Sequence, residues 1–157
     1  MLLQATITTA ANTLKASPEV TELSGMKGII YRAAVVFPPG SSGLVGVRIH
    51  DAAAQLYPFT AGQWLRGDNT VIEFVDVYRK DNPPFVFPIY TYNLDDTYDH
   101  EITVRLWIAT NAEEQSAFVP LIAAQKIEDA VNLALGNVKA AQQSAIAQAL
   151  KALRIKR

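Results

Sequence analysis

The sequence predicts a mainly β fold, an antiparallel β-sandwich or jelly roll, carrying a C-terminal α-helical extension. Three observations predict it. From Lys27 to Thr110 apolar residues recur with period two, in segments separated by Gly, Pro and Asn clusters. No helical pattern falls between those segments, so consecutive strands are expected to pair antiparallel in a sandwich or barrel. From about Asn111 the chain turns to Ala, Gln, Leu and Lys, which favour helix. The resulting organisation is an N-terminal strand and extended arm over residues 1–26, a sandwich core over 27–110 and a helical region over 111–157.

Taken in order, "LLQATITT" alternates as a first strand, while residues 10–26 show neither period and read as an extended connection. In "KGIIYRAAVVF" the set Ile29, Tyr31, Ala33, Val35 and Phe37 falls on one side. "PPGSSG" then supplies turn chemistry, because Gly accepts positive φ and Pro presets its own. "LVGVRIH" points Val45, Val47 and Ile49 inward and leaves Arg48 and His50 on the other face. "AQLYPF" adds a short strand, and "TVIEFVDVYR" a less regular one between "GDN" and "KDNPP". In "PFVFPIYTY", Pro88 lacks a ladder donor and predicts an edge strand or a bulge. "EITVRLWIAT" places Ile102, Val104, Leu106 and Ile108 together, with Thr103, Arg105 and Trp107 opposed. About seven or eight strands result, and periodicity leaves their order open.

Beyond Asn111, apolar residues at 123, 127, 130, 131, 134, 138, 141, 145, 149 and 153 keep to one helical face. Gly136-Asn137 is the strong interruption, and a break or kink is expected there. An isolated helix gains little from propensity, so this stripe needs a partner surface.

Composition narrows the function classes. The 157 residues are 50% hydrophobic and 18% charged, too apolar for disorder and lean in charge for a monomer, which hints at contacts between subunits. Without cysteine there is no disulfide, thiolate nucleophile or sulfur-ligated metal. Residues 1–125 carry eight Lys/Arg against thirteen Asp/Glu, and residues 126–157 carry six against two. An acidic body argues against nucleic acid on the sheets, where phosphate contacts would dominate. The basic end, "KALRIKR", is suited either to complementing a helix dipole or to touching nucleic acid or an anionic membrane. No apolar run reaches the roughly 18 residues of a membrane span, and "MLLQATITTAANTLKASPEV" lacks a secretory h-region, so a cytoplasmic origin is expected.

The densest polar stretch is "YNLDDTYDHE". Asp95, Asp96, Asp99 and Glu101 are candidate ligands for a hard cation, but the stretch has no glycine bend and Glu101 comes too early for an EF-hand loop. Only His50 and His100 exist in the chain, too few for a zinc site of the usual kind. The expectation is therefore a solvated corner whose Asn and Asp side chains satisfy turn amides, with His100 hydrogen-bonded at the strand start. His50 beside Asp51 does not make a catalytic pair, since neighbours on a strand point to opposite faces. "PPGSSGLVG" lacks the Lys-Ser/Thr of a phosphate loop. No catalytic residue, cofactor or metal is assigned. Trp64 and Trp107 are the candidate platforms for stacking a sugar.

"RAAVVFPPGSSGLVGVRIHD", with "PFTAGQWLRGDN" and "TYNLDDTYDHEITVRL", resembles small jelly-roll structural proteins of viruses and phages, such as capsid, decoration or tail components. The resemblance covers residues 27–110 and rests on pattern. It implies a non-enzymatic subunit that self-associates and contacts other assembly subunits, takes no small-molecule substrate and resides in the virion. The N-terminal segment would serve as an arm and the C-terminal helix as a clamp on a neighbour. The expected interface anchors are Phe59, Trp64, Phe85 and Phe87 with the helix stripe Ile127, Val131, Val138, Ile146, Leu150 and Leu153. The alternative is a carbohydrate- or calcium-binding sandwich module.

Overall fold

The computed structural model describes residues 1–118, 127 and 130–143. Among the described residues nine strands form: β1 (Leu2–Thr9), β2 (Glu19–Ser24), β3 (Gly28–Phe37), β4 (Val45–Asp51), β5 (Ala54–Tyr57), β6 (Leu65–Arg66), β7 (Thr70–Lys80), β8 (Val86–Asn93) and β9 (His100–Ala109), followed by the short helix α1 (Ala112–Ser116). They make two antiparallel sheets, β1-β9-β3-β7 and β2-β8-β4-β5, with β6 also on β4. The fold is thus mainly β, two sheets packed as a sandwich.

The order follows from one long antiparallel hairpin rolled on itself. β4 pairs with β5 and β6 at its tip, and β3 with β7, β2 with β8 and β1 with β9 along its arms. Rolling then joins β3 to β9 and β4 to β8, so alternate rungs fall in opposite sheets, which is the jelly-roll strand order.

The inward sets of β4 and β9 are as the alternation predicts: Val45, Val47 and Ile49, and Ile102, Val104, Leu106 and Ile108, are all fully buried in one apolar cluster. Each such side chain contributes about 1.5–3 kcal/mol by leaving water. In β3 the expected set is corrected by a bulge. The register with both β7 and β9 shifts between Ile30 and Arg32, so Ile30, and not Ile29, joins Ala33, Val35 and Phe37 in the cluster. An inserted residue reverses the inside–outside phase of a strand.

Two further expectations change. Residues 10–26 are not wholly an extended connection, because Glu19–Ser24 forms β2. It is the outermost strand of its sheet and buries only Leu23, so period two barely marks it. Pro88 does not mark an edge strand, since β8 runs between β2 and β4. The pairing with β4 ends at Ile49↔Ile89, and Pro88 faces only Glu22 of β2, so the missing donor sits where the strand is locally an edge.

Turn chemistry behaves as its residues require: Gly40, Gly43, Gly62 and Asn69 all have positive φ. Asn111 caps α1, its Oδ1 accepting the Glu114 amide at 2.7 Å while the Glu114 carboxylate accepts the Thr110 amide at 3.0 Å.

The chain divides into two compact units, Met1–Gln115 and Ser116–Arg157. Within the second, residues 130–143 are helical, Gly136 and Asn137 included. The break expected at that pair is replaced by continuous helix. Glycine costs about 1 kcal/mol in a helix without sterically forbidding it.

Candidate functional site

The corner between β8 and β9 is built from the acidic stretch. Asn93, fully buried, donates through Nδ2 to the carbonyls of Thr9 (3.1 Å) and Tyr98 (2.8 Å), and its Oδ1 accepts the Asp95 amide. Asp95 Oδ1 accepts the amides of Thr97 (2.9 Å) and Tyr98 (3.1 Å), and its Oδ2 lies 3.0 Å from His100 Nε2. Asp96 accepts the Thr97 hydroxyl, and Asp99 accepts the Ala11 amide across the corner at 2.8 Å. Glu101 is exposed on β9 opposite Thr8. These side chains close the turn and tie it to residues 11–13, whose backbone is also bonded to Asp95 and Asn93. Among the described residues no group of three or more His, Cys, Asp or Glu is arranged to hold a metal.

Asp95 is held below the ordinary 3.8, first by the Thr97 amide, then by His100 and the Tyr98 amide. A carboxylate depressed by folding contributes stability above its unfolded pKa and loses it as pH falls through the lower folded value. The unfolded chain binds the extra proton, so acid favours unfolding. Asp95→Asn is therefore expected to flatten the decline in stability below about pH 4, measured by denaturant titrations at stepped pH. A decline unchanged in the variant would refute this role.

A second cluster bridges the sheets. Asp51, at the end of β4, accepts the Tyr78 hydroxyl through Oδ2 and pairs through Oδ1 with the Lys80 ammonium, both from β7 in the opposite sheet. The Lys80 and Asp51 side chains are only 6% and 14% exposed. Burial, and then the bond to Asp51, pushes Tyr78 up to about 12. Nearby, the Tyr57 hydroxyl donates to Asp76 Oδ2 at 2.9 Å, and burial raises Tyr57 above the usual tyrosine range. A cavity of about 270 Å³ beside this cluster is lined by Asp51, Tyr78, Lys80 and the turn 81–84.

Both tryptophans carry an arginine on a ring face. Arg32 lies 4.4 Å from Trp107 while its guanidinium forks onto Glu73 at 3.0 and 2.8 Å. Arg48 lies 4.4 Å from Trp64 and 5.0 Å from Tyr90, and Trp64 meets Tyr92 edge-on at 4.7 Å. Tyr92 in turn lies over Gly46, where a Cβ would collide with its ring. His50 packs against Tyr90 at 4.5 Å, and burial, then the Arg48 charge, keeps it below its ordinary value. Arg48 Nε, both His50 ring nitrogens and the Tyr92 hydroxyl are buried and make no hydrogen bond of normal geometry among the described residues. This cation–aromatic layer packs the outer face of the second sheet.

The expected interface anchors scatter. Phe59 is 90% exposed and Phe85 half-buried, whereas Phe87 is fully buried in the core cluster, so its assignment to an interface is corrected. Trp64 is half-buried against Arg48 and Tyr92. Ile127, Val131 and Val138 are exposed in the second unit, as are Leu133 and Leu135. Ile146, Leu150, Leu153 and the basic terminus lie outside the described residues. The alternation did not single out Val71 and Val75, exposed on β7 at 54% and 79%. Val75 and Phe59 line a largely apolar cavity of about 320 Å³ with Tyr57, Pro58, Leu65 and Phe74.

No helix among the described residues is long and apolar enough to cross a membrane. Compared with known proteins, the chain matches no family model, no curated protein and no solved structure.

Proposed function

We propose that this chain is a non-enzymatic assembly subunit acting through self-association, of the kind that builds the capsid, decoration or tail of a virus or phage particle. One contrast carries the reading: the acidic corner is consumed within the fold, while a set of large apolar side chains is left exposed. The acidic corner spends Asp95, Asp96 and Asp99 on its own backbone and hydroxyls, and each indole has an arginine on one face. By contrast Phe59, Val71 and Val75, and in the second unit Ile127, Val131, Leu133, Leu135 and Val138, stand in solvent. Apolar side chains gathered on a surface favour contact with another protein over isolation. Calcium and sugar binding are less well supported, because Asp95, Asp96 and Asp99 already bond within and across the corner and each indole already carries an arginine on one face.

Light scattering of the purified full chain, with electron microscopy, tests the proposal. A discrete multiple of the 17.2 kDa chain is expected. A monomer at every accessible concentration would end it.

A further inference from the structure

The assembly reading leaves open which surface meets a second copy, and we infer that it is the free edge of β7. This inference rests on that reading. Among the described residues β7 closes one side of its sheet, pairing with β3 alone. Its first half, Thr70–Val75, runs in unbroken register against Phe37–Arg32 and therefore presents a straight row of unpaired amides and carbonyls outward. Edges left in that condition pair with another strand unless charge, proline or a bulge prevents it.

Protection is confined to the second half of the strand. There the register shifts opposite Tyr31, Asp76 turns its Oδ1 onto the Val77 amide at 2.7 Å, and the exposed Arg79 brings charge. The first half has one charged residue, Glu73, and it is neutralised by the two-pronged contact from Arg32. The other edges offer less. β5 is four residues long, β2 carries Glu19 and Glu22, and the outward residues of β1 past Leu2 are Gln4, Thr6 and Thr8.

The pattern of the first half is complementary to itself. Two copies related by a two-fold axis through Glu73 would pair antiparallel, so that Val71 faces the second copy's Val75 on the outer side and Ile72 faces its Phe74 on the inner side. Every cross-strand pair is then apolar except Glu73 on Glu73, and each of those carboxylates keeps its own Arg32. Centring the axis on Ile72 or Phe74 instead would set Glu73 against a valine. This ladder, residues 71–75 on each copy, is five residues long and alone is smaller than the roughly 800 Å² per partner of a stable interface. The cavity lined by Phe59, Val75 and Phe74 extends the apolar surface away from the same edge.

The test uses the full chain, which contains no cysteine. Val71→Lys/Val75→Lys, both at exposed positions, is expected to lower the particle mass at least by half, with the far-ultraviolet circular dichroism unchanged. Separately, Val71→Cys and Val75→Cys are expected to form a disulfide-linked dimer rapidly when mixed under mild oxidation and far less when either is alone, because the proposed register sets 71 against 75 and never against itself. An oligomer whose mass survives the lysines, or cross-linking no better in the mixture, overturns the β7 contact and leaves the assembly reading standing. A monomeric wild-type chain overturns both.

Discussion

Asp51→Ala is expected to lower the stability of the sandwich by about 3–5 kcal/mol, the usual cost of removing one partner from a buried ion pair. The change strands two donors, because the Asp51 carboxylate receives both the Lys80 ammonium and the Tyr78 hydroxyl. Lys80 is 5% exposed, so little of its side chain meets water. An uncompensated ammonium in that position costs far more than the pair contributes when intact, since desolvation cancels most of the attraction between the two charges. The corresponding double variant, Asp51→Leu/Lys80→Met, is accordingly expected to recover most of the loss. Denaturant unfolding should show a lower midpoint with unchanged slope for the single variant, and a near-native midpoint for the double. If the single variant unfolds at the native midpoint, the bridge between β4 and β7 is dispensable and its role as a tie between the sheets is wrong.

Phe87→Ala is expected to cost a similar 3–5 kcal/mol, the range for emptying a phenylalanine site in a packed core. Phe87 is 0% exposed and belongs to the central cluster, with Gly25 pressed against its ring. The prediction separates two roles that the sequence alone merges. A core phenylalanine lowers the unfolding midpoint at every protein concentration, whereas an interface phenylalanine lowers the oligomer mass and makes the midpoint depend on concentration. Phe59→Ser provides the contrast, since a side chain 90% exposed has little folding energy to lose. Native-like stability of Phe87→Ala would return that residue to the surface.

Why Phe87 read as an interface residue in sequence is clear from its strand. In "PFVFPIYTY" both alternating sets are apolar or aromatic, so period two identifies a strand without saying which side is the core. Where one set is polar the choice is unambiguous, as in β9, where Thr103, Arg105 and Trp107 oppose four buried aliphatics. The acidic corner was legible for a related reason. Asn and Asp act on amides one to three residues away, as Asp95 does on Thr97 and Tyr98, so their role follows from local spacing. Asp51, Tyr78 and Lys80 gave no such signal, because their partners lie 27 and 29 residues apart in the chain.

The sequence by itself determined the class of fold, the inward faces of β4 and β9, the turns and the start of α1, all of which depend on interactions within a few residues. Tertiary structure decided the rest: that β2 is a strand, that β3 changes phase at its bulge, that Phe87 is core, and that β7 is the last strand of its sheet among the described residues. Each of those depends on which strand lies alongside, and pairing between distant strands is set by rolling the whole hairpin so that both apolar faces close on one core. No local period encodes that closure.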